Sequence, residues 1–454
     1  MSSSDNSPWY KKVLQTFYNQ ACGITKREWP SVLALSSFFF LVIAVFWVLK
    51  PMKRGLMVSY YQDNPLEIFN FVLQGAEVEQ LGKVLNMVVA LLLVLAFVWL
   101  YRVLTRPWLI SVIASSFALL LILFAFLVQA LPDNAIVIWS FYVFGDMFNT
   151  MLVTLFWAFT NDVFSSKRAK SAYGFIGLGG IFGGIFGATM VTTLVESAGR
   201  NTLLFASVVP MLIIIALGIF VDRREKNERQ EKDSKPAEKE EEEKSKSVWE
   251  GARLVFKSKY LLSIAGIIGV YELVSNIVDF QLSAAISMGV ESGLETDAYF
   301  GMVGMATNIT SVVVQMFFTA WIMKRFGVGI ALLMLPLAIV VSSVGFLIIP
   351  GLLFATIMSA SDNSLNYSIQ QSAKEALYTP TSRDVKYKAK AFIDMFVQRG
   401  AKVLSVLLNI GMAAIFGLSN VHWLSLVVLV LAVAWIGMVR YTGKKFKDLE
   451  SNAN

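Results

Sequence analysis

Cysteine and histidine are almost missing from this sequence. The single cysteine, Cys22, excludes an internal disulfide, and the single histidine, His422, excludes a His-rich metal site and any catalytic triad built on imidazole. Charge is scarce too: 16% of the 454 residues are Asp, Glu, Lys or Arg, where a soluble chain averages about a quarter. There is no Walker lysine motif, so nucleotide hydrolysis is not expected. Gly177-Leu-Gly179-Gly180-Ile-Phe-Gly183 has the look of a dinucleotide loop, but it lies inside an apolar run with no βαβ context. Gly179, Gly183 and Gly187 instead recur every four residues, the pattern of a small-residue seam between helices. The expectation is a protein that is not an enzyme, with no catalytic residue, no metal and no cofactor.

Apolar residues dominate what remains. They make up 56% of the chain, with 34 Phe and 11 Trp, and mean hydropathy is +0.62. Runs of about 18 or more such residues read as bilayer-spanning helices. They fall at 31–49, 83–104, 108–131, 135–162, 171–195 and 201–221, and again at 259–285, 298–323, 327–349, 351–375, 388–416 and 420–440. The net charge of +7 fits the lysine and arginine bias of cytoplasmic loops rather than nucleic-acid binding. Lys167, Arg168, Lys324, Arg325, Lys386 and Lys388 fall in alternate loops, which places both termini in the cytoplasm and suggests an inner (plasma) membrane. The first outer loop, with Lys53 and Arg54 among Asp63, Glu67, Glu77 and Glu79, is the exception. The polar start of the chain gives no expectation of a cleavable leader.

The resulting division is a cytoplasmic segment (1–30), a six-helix half (31–221), a charged linker (222–258), a second six-helix half (259–440) and a tail (441–454). Lys239-Glu-Glu-Glu-Glu-Lys244 lies within a stretch too charged to fold alone, so the linker is expected to be flexible. Six spans, a linker and six spans predict an all-α membrane protein of twelve helices in two pseudo-repeats of the major-facilitator type.

Ionisable residues inside spans are costly and usually face a cavity or a partner. Tyr142, Asp146, Asn149, Thr150 and Trp157 mark the fourth span; Glu272, Asn276 and Asp279 the seventh; Ser359, Asn363, Tyr367, Gln370 or Gln371 and Lys374 the tenth; Asp394, Gln398, Lys402, Ser405 and Asn409 the eleventh. Their helical spacing draws polar stripes opposite apolar ones. Lys53, Arg54, Lys374, Arg399 and Lys402 suit phosphate oxygens, as point charges or bidentate forks. Asp146 and Asp279 are expected to hold those cations when no anion is bound. Asn149 joins the substrate-binding set, Tyr142, Trp157 and Tyr367 are candidates for stacking a base, and Asp162, Glu272 and Asp394 for gating or coupling.

Three stretches carry a resemblance to a known family. They are Leu155-Phe-Trp-Ala-Phe-Thr-Asn-Asp162, running through Ala169-Lys170 and Tyr173 to Phe175-Ile-Gly-Leu-Gly179; Lys374-Glu-Ala-Leu-Tyr-Thr-Pro380 with Lys386-Tyr-Lys-Ala-Lys-Ala-Phe-Ile-Asp394; and Asn276-Ile-Val-Asp279. The chain resembles the ATP/ADP translocases of plastids and intracellular bacteria over most of its length. The resemblance implies transport-critical charges at Lys53, Asp146, Asp279 and Lys402. The family's two glutamates are replaced here by Asp146 and Asp279, and a family lysine by Ser283; Pro51 and Arg54 stand where the family has aspartates. It implies an alternating-access antiporter whose partner is an anionic nucleotide, ATP or ADP, working in the lipid bilayer as a monomer. Proton-coupled or exchange transport of another nucleotide or phosphorylated anion stays open, as does a non-transporting receptor on the same scaffold.

Overall fold

The computed structural model describes residues 28–68, 71–163, 166–230, 248–381 and 383–453. The N-terminal segment with Cys22, and the linker's Lys239–Lys244 run, lie outside these residues. Sixteen described α-helices, α1 to α16, are joined by short connections, with one antiparallel hairpin of β1 (Leu66–Ile68) and β2 (Phe71–Leu73). Ten described helices or helix runs are long and apolar enough to cross a membrane. Helical backbone bonded to itself is what a lipid environment demands of such sequences, since lipid cannot satisfy a free N–H or C=O.

Several spans sit where the hydropathy puts them: α3 (Arg106–Ala130), α4 (Ala135–Val163), α8 (Lys259–Gly289) and α11 (Val328–Ile348). The first two do not. Helix α1 runs from Trp29 to Asp63, through Pro51, instead of ending at 49. Helix α2 starts at Gly75, eight residues before the expected 83. Lys53, Arg54, Glu77 and Glu79 are therefore helical and buried, not loop residues. A charged residue reads as a loop only when it has no partner, and these have partners.

Helix α5 (Ser166–Ala206) bends at Gly199, whose φ of 79° is open to glycine at little cost. With α6 (Val208–Gln230) it forms a 52-residue run from Phe175 to Lys226, which at about 1.5 Å per residue is more than twice the bilayer core. Helix α6 extends past Asp222, which pairs with Lys226 at 2.7 Å, and α7 (Val248–Lys257) is also helical. Both ends of the expected flexible linker thus carry helix.

The chain packs as two compact units. The first draws on the described residues within Met1–Tyr60, Leu85–Ala237 and Ser292–Asn308; the second on those within Tyr61–Val84, Glu238–Glu291 and Ile309–Asn454. In the first unit, Phe39 stacks on Phe156 at 4.5 Å between ring centroids, and Phe124 meets Phe144 at 4.8 Å, joining α1 to α4 and α3 to α4. The four-residue glycine repeat of α5 lies directly against the α1 backbone: Gly179 on the Ser36 carbonyl, Gly183 on that of Phe40, Gly187 on that of Ala44. A side chain there would strike main chain, which cannot rotate away. Gly183→Leu is expected to cost about 1–3 kcal/mol or more and to lower the apparent melting temperature of the purified protein. Gly177→Leu on the same helix, where a Cβ meets nothing within 4 Å, serves as the control and is expected to leave it unchanged.

In the second unit, α8 packs on α12 (Leu352–Leu365), α15 (Gln398–Phe416) and α16 (Leu424–Ala453), while α7 lies on α14 (Arg383–Phe392). There Lys388 reaches Glu250 at 3.0 Å and Phe256 packs edge-on against Phe392. Three π-helical turns, Val314–Thr319, Asn366–Gln370 and Ile393–Val397, interrupt otherwise α-helical runs of this unit. Such turns often mark functional positions, because they re-aim side chains along a helix. Outward faces are apolar: Leu91, Leu92, Leu95 and Trp99 of α2 are all exposed, as lipid contact requires.

Candidate functional site

In the first unit, Lys53 is buried in mid-α1, 4% exposed, and its ammonium forms an ion pair with Asp146 of α4. Asn86 of α2 donates a hydrogen bond to the other oxygen of the same carboxylate. The ammonium also lies 4.4 Å above the Tyr142 ring. Gly145 makes room for this: a Cβ there would come within 2.6 Å of Lys53 Cδ. Lys53 is thus clamped by charge, an amide and a ring face, while Asp146 keeps 39% of its side chain accessible. A cation held this way costs little to bury and remains open to exchange of its partner.

The neighbouring Arg54 points elsewhere, with its guanidinium 4.4 Å over the Phe300 ring. Nearby in the same unit, Arg200 makes a two-pronged pair with Asp297 at 2.5 and 3.0 Å and donates to the Gly293 carbonyl at 2.9 Å. Ser59 accepts from the Gly293 N–H at 2.5 Å. Asp162 is held by Arg106 at 3.0 Å and by the Tyr101 hydroxyl at 3.3 Å. Trp157 sits among Phe39, Phe156 and Tyr173, at 5.3 to 5.5 Å, as part of an aromatic cluster. Tyr142 is buried under Lys53, so neither ring presents an open face. Asn149 is half-buried one turn beyond Asp146.

The second unit holds the larger charge cluster. Asp279 of α8 pairs with Lys83 of α2 at 2.5 Å, a lysine that hydropathy alone leaves at the edge of a span. One turn away, Ser283 donates to Glu79 at 2.6 Å, and Asn409 bridges Gln80 and the Asn276 carbonyl, both at 3.3 Å. Glu79 and Gln80 are fully buried. Ser275 donates to Asp362 at 2.5 Å. The charges of Lys402 and Lys374 both act on Glu272. Lys374, at the end of the tenth polar stripe, is buried with its ammonium 5.2 Å over Tyr271.

Lys402 and Lys374 form no ion pair within 4 Å among the described residues. Tyr367 is half exposed, yet Asp362, Asp279, Lys402 and Glu272 all act on it, so its ring borders the charged cluster. Arg399 is half-buried on α15, and Asp394 is exposed at its π-turn, with its charge acting on Lys374. The structure therefore joins Lys53 with Asp146 and gathers Glu272, Asp279, Lys374, Lys402 and Tyr367. It gives Asp279 to Lys83 rather than to Lys402. Lys83, Asn86, Glu79, Ser275 and Asp362 escaped the sequence reading. A buried carboxylate in a span was the available signal for Asp362, masked by the choice of Ser359, Asn363 and Tyr367 as the stripe.

In the second unit, then, one buried and one half-buried lysine lie among carboxylates and a half-exposed aromatic ring. The family model for the TLC ATP/ADP transporter matches residues 133–352 and 351–446. The chain belongs to the TLC ATP/ADP transporter family. It is a multi-pass membrane transporter and not an enzyme. It is similar to ADP,ATP carrier protein 3 of Rickettsia felis, 24% identical over 94% of this chain and 96% of that protein. It is also similar to the plastidic ATP/ADP-transporter of Solanum tuberosum, 25% identical over 70% of this chain, an alignment spanning 55% of that protein's length. Among solved structures, the nucleoside transporter NupG superposes with a TM-score of 0.60 at 13% identity, covering 90% of this chain and 99% of that one. The transporter has the all-α major-facilitator fold.

Proposed function

We propose that this transporter exchanges ATP and ADP across a bacterial-type plasma membrane by alternating access, as a monomer with both termini in the cytoplasm. Twelve spans belong to this reading: the Phe175–Lys226 run counts twice, and Leu352–Leu377, broken by its π-turn, counts once. The observation that carries it is the pair Lys374 and Lys402, cations inside the bundle with no ion-pair partner among the described residues. A bound phosphate supplies the missing negative charge, most fully for the more highly charged nucleotides. Tyr367, reached by the charge of Lys402, offers a ring face for the base. Taken by itself, the first unit holds a further cation, Lys53, whose partner Asp146 a phosphate could replace.

Obligate exchange follows from the same electrostatics. Carrying two lysines that have no ion pair among the described residues through a low-dielectric interior is costly, so the empty carrier reorients slowly and the loaded one quickly. The test is uptake of labelled ATP into proteoliposomes. Vesicles loaded with ADP are expected to take up at least about tenfold more than empty ones, the counterpart of about 1.4 kcal/mol in barrier height. Equal uptake into both excludes obligate exchange, and no uptake of any nucleotide defeats the nucleotide reading in favour of another phosphorylated anion.

A further inference from the structure

Asp362 takes no part in the proposed phosphate site. It sits in mid-α12, 1% exposed. Its Oδ2 accepts the Ser275 hydroxyl at 2.5 Å, while its Oδ1 has no hydrogen-bond partner. No ion pair reaches it among the described residues. The groups facing it can be named element by element. Helix α8 contributes Glu272, Asp279 and Tyr271; its own helical run contributes Tyr367 and Lys374. Helix α11, packed against α12, has no ionisable residue at all between Val328 and Ile348. Asp279 is paired with Lys83 at 2.5 Å, and Glu272 faces both Lys402 and Lys374, so Asp362 has only a share in Lys374. Unpaired polar atoms continue from Asp362 at four-residue steps, Asn366 Oδ1 and then both amide atoms of Gln370, through the π-turn toward Lys374.

We propose that Asp362 is a proton-binding site in the second unit, coupled to nucleotide binding. A buried carboxylate with one free oxygen and no cation of its own is most cheaply accommodated as the acid. The proton comes from water and binds Oδ1, turning the carboxylate into a neutral acid, with Ser275 still donating to Oδ2. The open polar atoms of Asn366 and Gln370 provide hydrogen-bonding positions for water along that route. Coupling to nucleotide rests on the exchange reading above and has a definite sign. A phosphate brought to Lys374 and Lys402 adds negative charge beside Asp362 and favours its neutral form, so nucleotide and proton bind together. Nucleotide affinity then falls as pH rises through the titration of Asp362, by up to about tenfold per pH unit for one linked proton.

The experiment is pH-difference infrared spectroscopy of the purified full-length protein. The carbonyl band of a buried protonated carboxylic acid is expected in the wild type, to disappear as pH rises, and to be lost in Asp362→Asn. Ser275→Ala, which removes a hydrogen bond to the ionised form, is expected to keep the band to higher pH and serves if Asp362→Asn does not fold. A band unchanged in both variants overturns the proton site. Adding ADP above the titration midpoint is expected to restore the band in the wild type, and Asp362→Asn is expected to flatten the pH dependence of ADP affinity. Unaltered dependence in that variant overturns the coupling. A wild type that shows the band but binds no nucleotide keeps the proton site and defeats the exchange reading instead.

Discussion

Replacing Lys53 by Gln is expected to lower ATP/ADP exchange in proteoliposomes by about a hundredfold, with a smaller loss of stability. Removing one member of a fully buried ion pair costs about 3–5 kcal/mol. Asp146 keeps 39% of its side chain accessible, so water softens the penalty, and Asn86 still donates to the orphaned carboxylate. The stability loss should therefore fall below that range. Lys53→Gln with Asp146→Asn removes both charges and should recover the melting temperature. It should not recover exchange, because a neutral clamp has nothing to offer phosphate. Measured together, thermal stability and initial uptake rate separate the two roles. Exchange restored in the double variant would make the pair a structural one.

Lys374→Gln and Lys402→Gln should each raise the KM for ATP by roughly tenfold to a hundredfold, the equivalent of one charge-assisted hydrogen bond at about 1.5–3 kcal/mol. Neither lysine has an ion pair to lose among the described residues, so stability should barely change. Removing Lys374, which is buried against Tyr271, even relieves an unpaired charge. Lys83→Gln is expected to behave in the opposite way. It strips Asp279 of its partner at 2.5 Å, so the melting temperature should fall well before substrate affinity does. Steady-state uptake kinetics and thermal unfolding across the three variants check the contrast. A KM that moves equally in all three would mean that the cluster acts as one structural unit.

Hydropathy placed helices α3, α4, α8 and α11 within a few residues because each keeps a long apolar stretch, even where α4 and α8 carry polar stripes. It misplaced the end of α1 and the start of α2 for a single reason. Lys53 and Glu79 look like loop residues one at a time, and Lys83 like the edge of a span; all three lie well inside helices, where Asp146, Ser283 and Asp279 meet them. Those partners lie 93 to 204 positions away in the chain, beyond any local pattern. Pro51 misled in the same direction, since it sits inside a helix whose packing outweighs the lost hydrogen bond. The glycine seam was legible because its four-residue period is a local property, and Gly179, Gly183 and Gly187 each meet a carbonyl of α1. The π-turns at Asn366–Gln370 and Ile393–Val397 were not, since a shift of one residue in hydrogen bonding leaves no mark in composition. The resemblance named Lys53 and Asp146 but not which charge meets which, and neither the pairing of Lys53 with Asp146 nor that of Asp279 with Lys83 was readable from it.

Calorimetric titration of the purified transporter with adenosine, AMP, ADP and ATP bears most directly on whether unpaired lysines inside the bundle hold phosphate. Affinity is predicted to rise with each added phosphate, and the rise to flatten when Lys374 and Lys402 are both changed to Gln. Adenosine binding as tightly as ATP, or a phosphate dependence untouched by the double substitution, would contradict it.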